Sequence, residues 1–185
     1  MYIAYANLLE KVDRHLAGLS GCDCPAGCDR CCRISFTLFS VEAHHLREAF
    51  LRLPAETAEG VRRRAARDPE GRCPFLAGGR CTVYASRPVL CRTHGHPFLR
   101  RQEAGGEAEI YPGCEQLPLE SLPRSGDGTL KVSAFDLDGV NTLLAAVNDL
   151  FLREAGLSRN GPDSRIPVAE IPSDRFPGGD CHADL

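Results

Sequence analysis

The chain has 185 residues, 22 basic and 25 acidic side chains, a formal net charge of −3 and 43% apolar residues. That length suits one ordinary domain, and a chain near this size buries roughly 70% of its unfolded surface, so cross-links are not needed for a stable core. The acidic balance, with no basic patch interleaved with aromatics, excludes the usual nucleic-acid binder, and no run approaches the ~20 apolar residues of a membrane span.

The first residues, Met1 to Asn7, carry no basic region, and Glu10, Lys11, Asp13 and Arg14 soon break their apolar run. A secretory leader is therefore not expected. The expected compartment is the cytoplasm, where ten cysteines point to metal or catalysis rather than to disulfides.

Residues 2–19 read as an amphipathic helix, because Tyr5, Leu8 or Leu9, Val12, Leu16 and Leu19 follow three-and-four spacing. Gly21 ends it, and a turn-rich segment from Cys22 to Cys32 follows. Ile34 to Leu38 alternates weakly, like a short strand. Ser40 is the expected N-cap of a helix to about Leu53, with Glu42 in its first turn, and the His44–His45 pair within it is expected to be partly exposed. Pro54 opens a further polar helix, whose Arg62–Arg67 run reads as a solvated face. Gly78-Gly79 predicts a tight turn between two short extended pieces in the 71–84 loop. Ser86-Arg87-Pro88 resembles a helix start. Residues 97–128 read as loop-rich. A helix from about Asp136 to Glu154 follows, with Leu137, Val140, Leu144, Val147 and Phe151 on one stripe and Asp136 and Asp138 as capping residues. Residues 156–185 show little periodicity and read as an irregular or loosely attached tail beyond a single domain at 1–155.

The cysteines carry the chemistry. Soft thiolates select zinc, copper(I) and iron–sulfur clusters, and such centres need several thiolates to converge. Cys24, Cys28, Cys31 and Cys32 lie within nine residues, and Cys73, Cys81, Cys91 and Cys114 follow downstream. Were the first segment helical, Cys24, Cys28 and one of Cys31 and Cys32 would share a face. Arg30, Arg33, Arg72, Arg80, Arg87 and Arg92 lie beside or near these cysteines, and a tetrathiolate site with net charge about −2 needs such paired donors when partly buried. His94 and His96 lie close to Cys91, but histidines of the surface or core are the simpler reading.

The sequence Cys24-x3-Cys28-x2-Cys31-Cys32, with Cys73-Pro74-Phe75-Leu76, Cys81-Thr82-Val83-Tyr84 and Arg87-Pro88-x2-Cys91-Arg92, resembles the YkgJ-type cysteine-cluster family. Members of that family are described as chelating zinc or iron, and some as resembling flagellin lysine N-methylase. The resemblance covers residues 24–92, with Cys114 completing eight cysteines, and Cys22 and Cys181 fall outside it. It implies metal binding and, in the enzyme alternative, a protein-modifying activity. No S-adenosylmethionine loop or general base accompanies that alternative. The triplet Cys24-x3-Cys28-x2-Cys31 also has the spacing of radical S-adenosylmethionine enzymes. The run of β/α units those enzymes require does not follow it, and Arg30 stands where they favour an aromatic.

The expected fold is an α-rich α+β domain, with helices around cysteine-rich metal loops and short extended segments. The expected ligand pool is Cys24, Cys28, Cys31, Cys32, Cys73, Cys81, Cys91 and Cys114, holding a [4Fe–4S] iron–sulfur cluster or zinc in one or two centres. A purely structural zinc module is a further alternative. A protein partner fits this reading, whereas nucleic acid and membrane do not. Adjacent side chains point to opposite faces of a strand and stand about 100° apart on a helix, so Cys31 and Cys32 are expected to serve different centres, with a single centre and four spare thiols as the alternative.

Overall fold

The computed structural model describes residues 3–19, 27–101, 108–114, 120, 122–157, 165–174 and 176. The helical periodicity of the sequence is realised with small shifts at the ends. Helix α1 (Ile3–Leu16) buries Tyr5, Leu8, Leu9, Val12 and Leu16, the stripe its spacing predicts. Strand β1 (Thr37–Leu38) leads into helix α2 (Ser40–Leu51), whose N-cap is Phe39 rather than Ser40. Helix α3 (Ala55–Arg67) starts directly after Pro54. Strands β2 (Leu76–Ala77) and β3 (Arg80–Cys81) form an antiparallel hairpin. Its turn residues Gly78 and Gly79 have φ of 55° and 74°, the left-handed pair that a two-residue hairpin turn demands.

A 3₁₀ turn (Tyr84–Ser86) and helix α4 (Val89–Thr93) come next. Helix α5 (Leu137–Glu154) is capped by Asp136, whose side chain accepts from the Gly139 amide, and Asp138 accepts from the Arg101 amide. Both acids therefore act as backbone acceptors at the helix start. No described helix is long and apolar enough to cross a membrane. The result is a mixed α+β fold with a helical majority.

Two expectations are corrected. The loop-rich reading of 97–128 misses strands β4 (Phe98–Arg101) and β5 (Ala108–Tyr111), which join β6 (Phe135–Asp136) in a sheet ordered β5-β4-β6. These strands bury little, so they lack the alternation that announces a strand, and the parallel β4–β6 pairing joins segments far apart in sequence. The segment after α5 is also not loosely attached where it is described. Strand β7 (Ile166–Pro167) pairs with β1, and Ile166, Val168, Ile171 and Phe176 are core residues. The Arg47 guanidinium, buried on α2, donates to the Ile171 carbonyl at 2.9 Å. Four apolar side chains spread over eleven positions show no period, yet each is buried by long-range packing.

The apolar interior forms two clusters. One joins β1, α2 and α3 to Cys73, Phe75, Val83 and the C-terminal Ile166, Val168, Ile171 and Phe176. The other joins α1 and α5 through Val41, Val89 and Phe135. Helix α2 contributes to both, and the Asn148 side chain of α5 accepts from the Val41 amide at its start.

Candidate metal centre

Three segments bring thiols to the seam between these clusters. The first is the stretch from Gly27, with a 3₁₀ turn at Arg30–Cys32. The second is the β2–β3 hairpin with its approach, carrying Cys73 and Cys81. The third is α4, carrying Cys91. The first two are tied backbone to backbone, because the Cys73 amide donates to the Cys32 carbonyl at 2.9 Å. A Cβ on Gly79 would stand 3.3 Å from the Gly27 carbonyl oxygen, so the hairpin turn lies close under the cysteine segment. Cys32, Cys73 and Cys81 pack with the first apolar cluster, whereas Cys91 sits two residues beyond Val89 of the second.

Helix α4 is fixed by Glu42. This side chain is 3% exposed; its carboxylate accepts from the Val89 amide at 3.0 Å and the Phe39 amide at 3.3 Å. Burial pushes its carboxyl up to about 7, and the two amide donors pull it down only in part. From the sequence Glu42 reads as a first-turn acid. That it also holds the start of a helix 47 residues away leaves no local signal.

Every pair among Cys31, Cys73, Cys81 and Cys91 is close enough for the charge of one to raise the proton affinity of another. Burial is the leading cause of the raised values, pushing Cys73 up to about 11 and raising Cys81 and Cys91. For Cys31 the leading cause is its contact with the Cys32 sulfur, 4.0 Å away, with burial second. Opposing these effects, the Phe75 amide donates toward the Cys73 sulfur and the Val83 amide toward the Cys81 sulfur. Each donor lies two residues after its cysteine. Such bonds favour the thiolate over the thiol, and outer donors of this kind tune metal-bound sulfur.

The positive charges are arranged around the same group. Arg87 favours the thiolate form of Cys31, Cys81 and Cys91. It is held by bonds to the Tyr84 and Cys91 carbonyls and lies 3.7 Å from the centre of the Tyr84 ring. Arg64 does the same for Cys73 while donating to the Pro74 carbonyl at 2.7 Å. It thus leaves the solvated face on which the charge run was expected to place it. Arg92, by contrast, is bonded to Asp13 of α1 and to the carbonyls of Ala85 and Arg87, and Arg33 pairs with Asp29 at 2.8 Å.

The remaining candidates are placed differently. Cys28 is half-buried and its charge is felt by Arg33. Cys114 reaches α4 from its far end. A Cβ on Gly113 would meet the His96 carbonyl at 2.0 Å, and the Gly95 amide donates to the Gly113 carbonyl. Cys24, Cys22 and Cys181 lie outside the described residues. His94 is exposed at the end of α4. His44, expected to be partly exposed, is 3% exposed between the rings of Phe151 and Phe176. Its face of α2 meets both α5 and the C-terminal segment, and burial pushes it down to about 4.

Cys31 and Cys32 do not point to opposite faces as they would on a strand. They lie on a 3₁₀ turn rather than a strand, and their sulfurs stand 4.0 Å apart. All the described cysteines are free thiols, and among the described residues no three ligand-type side chains already stand in coordination geometry. The thiols are gathered, with their counter-charges and sulfur-directed amides in place, but not yet closed on a point. The donor set is soft, it can be deprotonated, and its charge is compensated, which is what a thiolate metal centre requires.

Residues 22–110 match the family model CxxCxxCC, described as "Putative zinc- or iron-chelating domain". No curated protein and no solved structure matches the chain. These residues, which hold all three thiol-bearing segments of the seam, carry the chain's similarity to the CxxCxxCC family.

Proposed function

We propose that this protein is a cysteine-ligated metal protein whose principal centre is made by Cys31, Cys73, Cys81 and Cys91. The observation that carries this reading is that residues 22–110, which match a zinc- or iron-chelating family model, supply these four thiols from three segments, two of them tied by the bond from the Cys73 amide to the Cys32 carbonyl at 2.9 Å. Four is the ligand count of both a closed zinc site and a [4Fe–4S] cluster. Arg87 and Arg64 would offset the charge of the four thiolates, and the amides of Phe75 and Val83 would hold two sulfurs deprotonated and oriented. A bound metal would supply the cross-link that fastens the hairpin, the cysteine turn and α4 together. Cys24, Cys28, Cys32 and Cys114 form the pool for a second centre, so each of the vicinal cysteines would serve its own set. Such chemistry suits a reducing compartment such as the cytoplasm, where thiols stay available.

Metal analysis with a visible spectrum on anaerobically purified protein tests this reading. Stoichiometric zinc in a colourless protein identifies the zinc form. Iron with acid-labile sulfide and a brown colour identifies the cluster. A protein that purifies without either, and takes up neither on reconstitution, overturns the proposal.

A further inference from the structure

We propose that Cys31 and Cys32 form a reversible dithiol–disulfide switch, closed by a low-molecular-weight disulfide of the glutathione class. The inference stands apart from the metal reading. The two sulfurs are 4.0 Å apart, and either S–H can donate to its neighbour. Cys31 is exposed and Cys32 half-buried, so an oxidant in solution reaches the pair. The turn that carries them is braced along its length. The Cys32 and Arg33 amides donate to the Asp29 and Arg30 carbonyls at 2.9 and 3.1 Å, and the Cys32 carbonyl accepts from the Cys73 amide at 2.9 Å. Asp29 and Arg33 span the turn with their 2.8 Å ion pair. The other thiols coupled to Cys31 are less free to meet it. Cys73 is 7% exposed, the Cys73 and Cys81 sulfurs accept from amides of their own turns, and α4, which carries Cys91, is held at Val89 by Glu42.

In the closing reaction one thiolate of the pair attacks the S–S bond of the oxidant. That bond breaks, a mixed disulfide forms, and the departing small thiolate takes up the proton that the attacking thiol lost. The neighbouring sulfur then gives up its own proton and displaces the second small thiol, which forms the Cys31–Cys32 bond. Two protons and two electrons pass from the pair to the oxidant, which leaves as two thiols. The described peptides are all trans, and neighbouring Cα atoms across a trans peptide are about 3.8 Å apart. A relaxed disulfide spans roughly 4.4–6.8 Å between its Cα atoms, so the closed ring is strained. Strained, exposed disulfides are the readily reduced ones. A bond between adjacent residues also closes almost no loop and adds little stability, which suits a switch rather than a structural cross-link. Closing it takes both sulfurs out of the thiol pool, so for this pair oxidation and any ligation exclude one another.

The test uses the full chain as purified, with its zinc and iron measured beforehand. The protein is equilibrated anaerobically in glutathione buffers of graded ratio, quenched in acid, alkylated and digested with trypsin. Cleavage after Arg30 and Arg33 releases both sulfurs in one peptide, residues 31–33, whereas Cys73 falls in 73–80 and Cys81 and Cys91 in 81–92. The expected product is an unalkylated 31–33 peptide, lighter than its dithiol by two hydrogens, that reverts when reduced glutathione is added. Half-oxidation should need a buffer at least about tenfold more oxidising than thioredoxin needs. Cys31→Ser and Cys32→Ser should each stop at a glutathione adduct on the remaining sulfur. In urea, where the turn is lost, the yield of the closed peptide should fall severalfold. A disulfide joining 31–33 to 73–80 or to 81–92 would overturn the proposal. So would a glutathione adduct that never closes in the parent chain, an equal yield in urea, or a pair that stays reduced in glutathione disulfide alone. A chain that purifies without metal yet closes the pair would count against the metal reading and leave the switch standing.

Discussion

The two apolar clusters differ in what they contribute to the thiols. The first contains cysteines: Cys73 is one of its buried members, and Cys32 and Cys81 pack against it. The second contains none, and reaches the site only by carrying α4. The first cluster therefore shapes the site, while the second presents a single ligand to it across the seam. Helix α2 contributes to both clusters, and the second is further tied to it by Glu42 accepting from the Val89 amide and by Asn148 of α5 accepting from the Val41 amide. A metal centre containing Cys91 would staple one cluster to the other.

The strongest way to break this comparison is to cut the staple. Cys91→Ser should lower metal content and abolish the rise in melting temperature that metal confers, whereas Cys181→Ser should do neither. Metal analysis and thermal unfolding of both variants decide this, and equal damage would show the ligand set to be wrong. Next in size are the core truncations. Phe50→Ala and Phe151→Ala remove side chains exposed by 0% and 1% in the first and second clusters, and each should cost about 3–5 kcal/mol by denaturant titration. Only Phe50, which meets Phe75 edge-on beside Cys73, should also weaken metal retention in a chelator competition.

A smaller effect sharpens the seam. Arg87→Met should lower metal affinity about tenfold with little change in the fold of the metal-free protein. A spectroscopic titration across pH should show that this loss grows as pH falls, because the thiols lose the charge that favours their thiolate form.

Glu42 and His44 give opposite pH dependences. The folded-state value of Glu42 is raised from 4.5 to about 7, so its contribution falls as pH rises through that window. That of His44 is lowered from 6.5 to about 4, so its contribution grows as pH rises to 6.5. Between pH ~4.5 and ~6.5 the two oppose each other. His44→Leu should make stability fall with rising pH there, and Glu42→Gln should make it rise, as read from denaturation midpoints. Smallest of all, Arg33→Ala removes an exposed pair with Asp29 and should leave the melting temperature unchanged.

Much of this organisation was legible in the residues. The stripes of α1 and α5, the proline before α3, the Gly78-Gly79 turn and the Asp136 cap each depend on neighbours within a turn or two. Cysteine spacing pointed to metal for the same local reason. What escaped depends on distant partners. Nothing near Glu42 announces Val89, nothing near Ile166 announces Leu38, and the inward turn of Arg64 is hidden inside a run of arginines. The 4.0 Å approach of the Cys31 and Cys32 sulfurs escaped because it depends on a 3₁₀ turn, where the spacing suggested either an extended segment or an α-helix.

The pairing of Leu38 with Ile166 has a consequence for how the molecule is made. Roughly 130 residues separate the two, and at ~5–20 residues per second a ribosome needs about 6–26 s to travel that distance. During that interval the early cysteines are already outside the ribosome, while Val168 and Ile171, which complete the core beneath their segment, have yet to be synthesised. The thiols are thus open to the surrounding solution before their platform is finished. Metal captured in that window would meet an unfinished pocket, and final closure would wait for the last stretch of chain to dock.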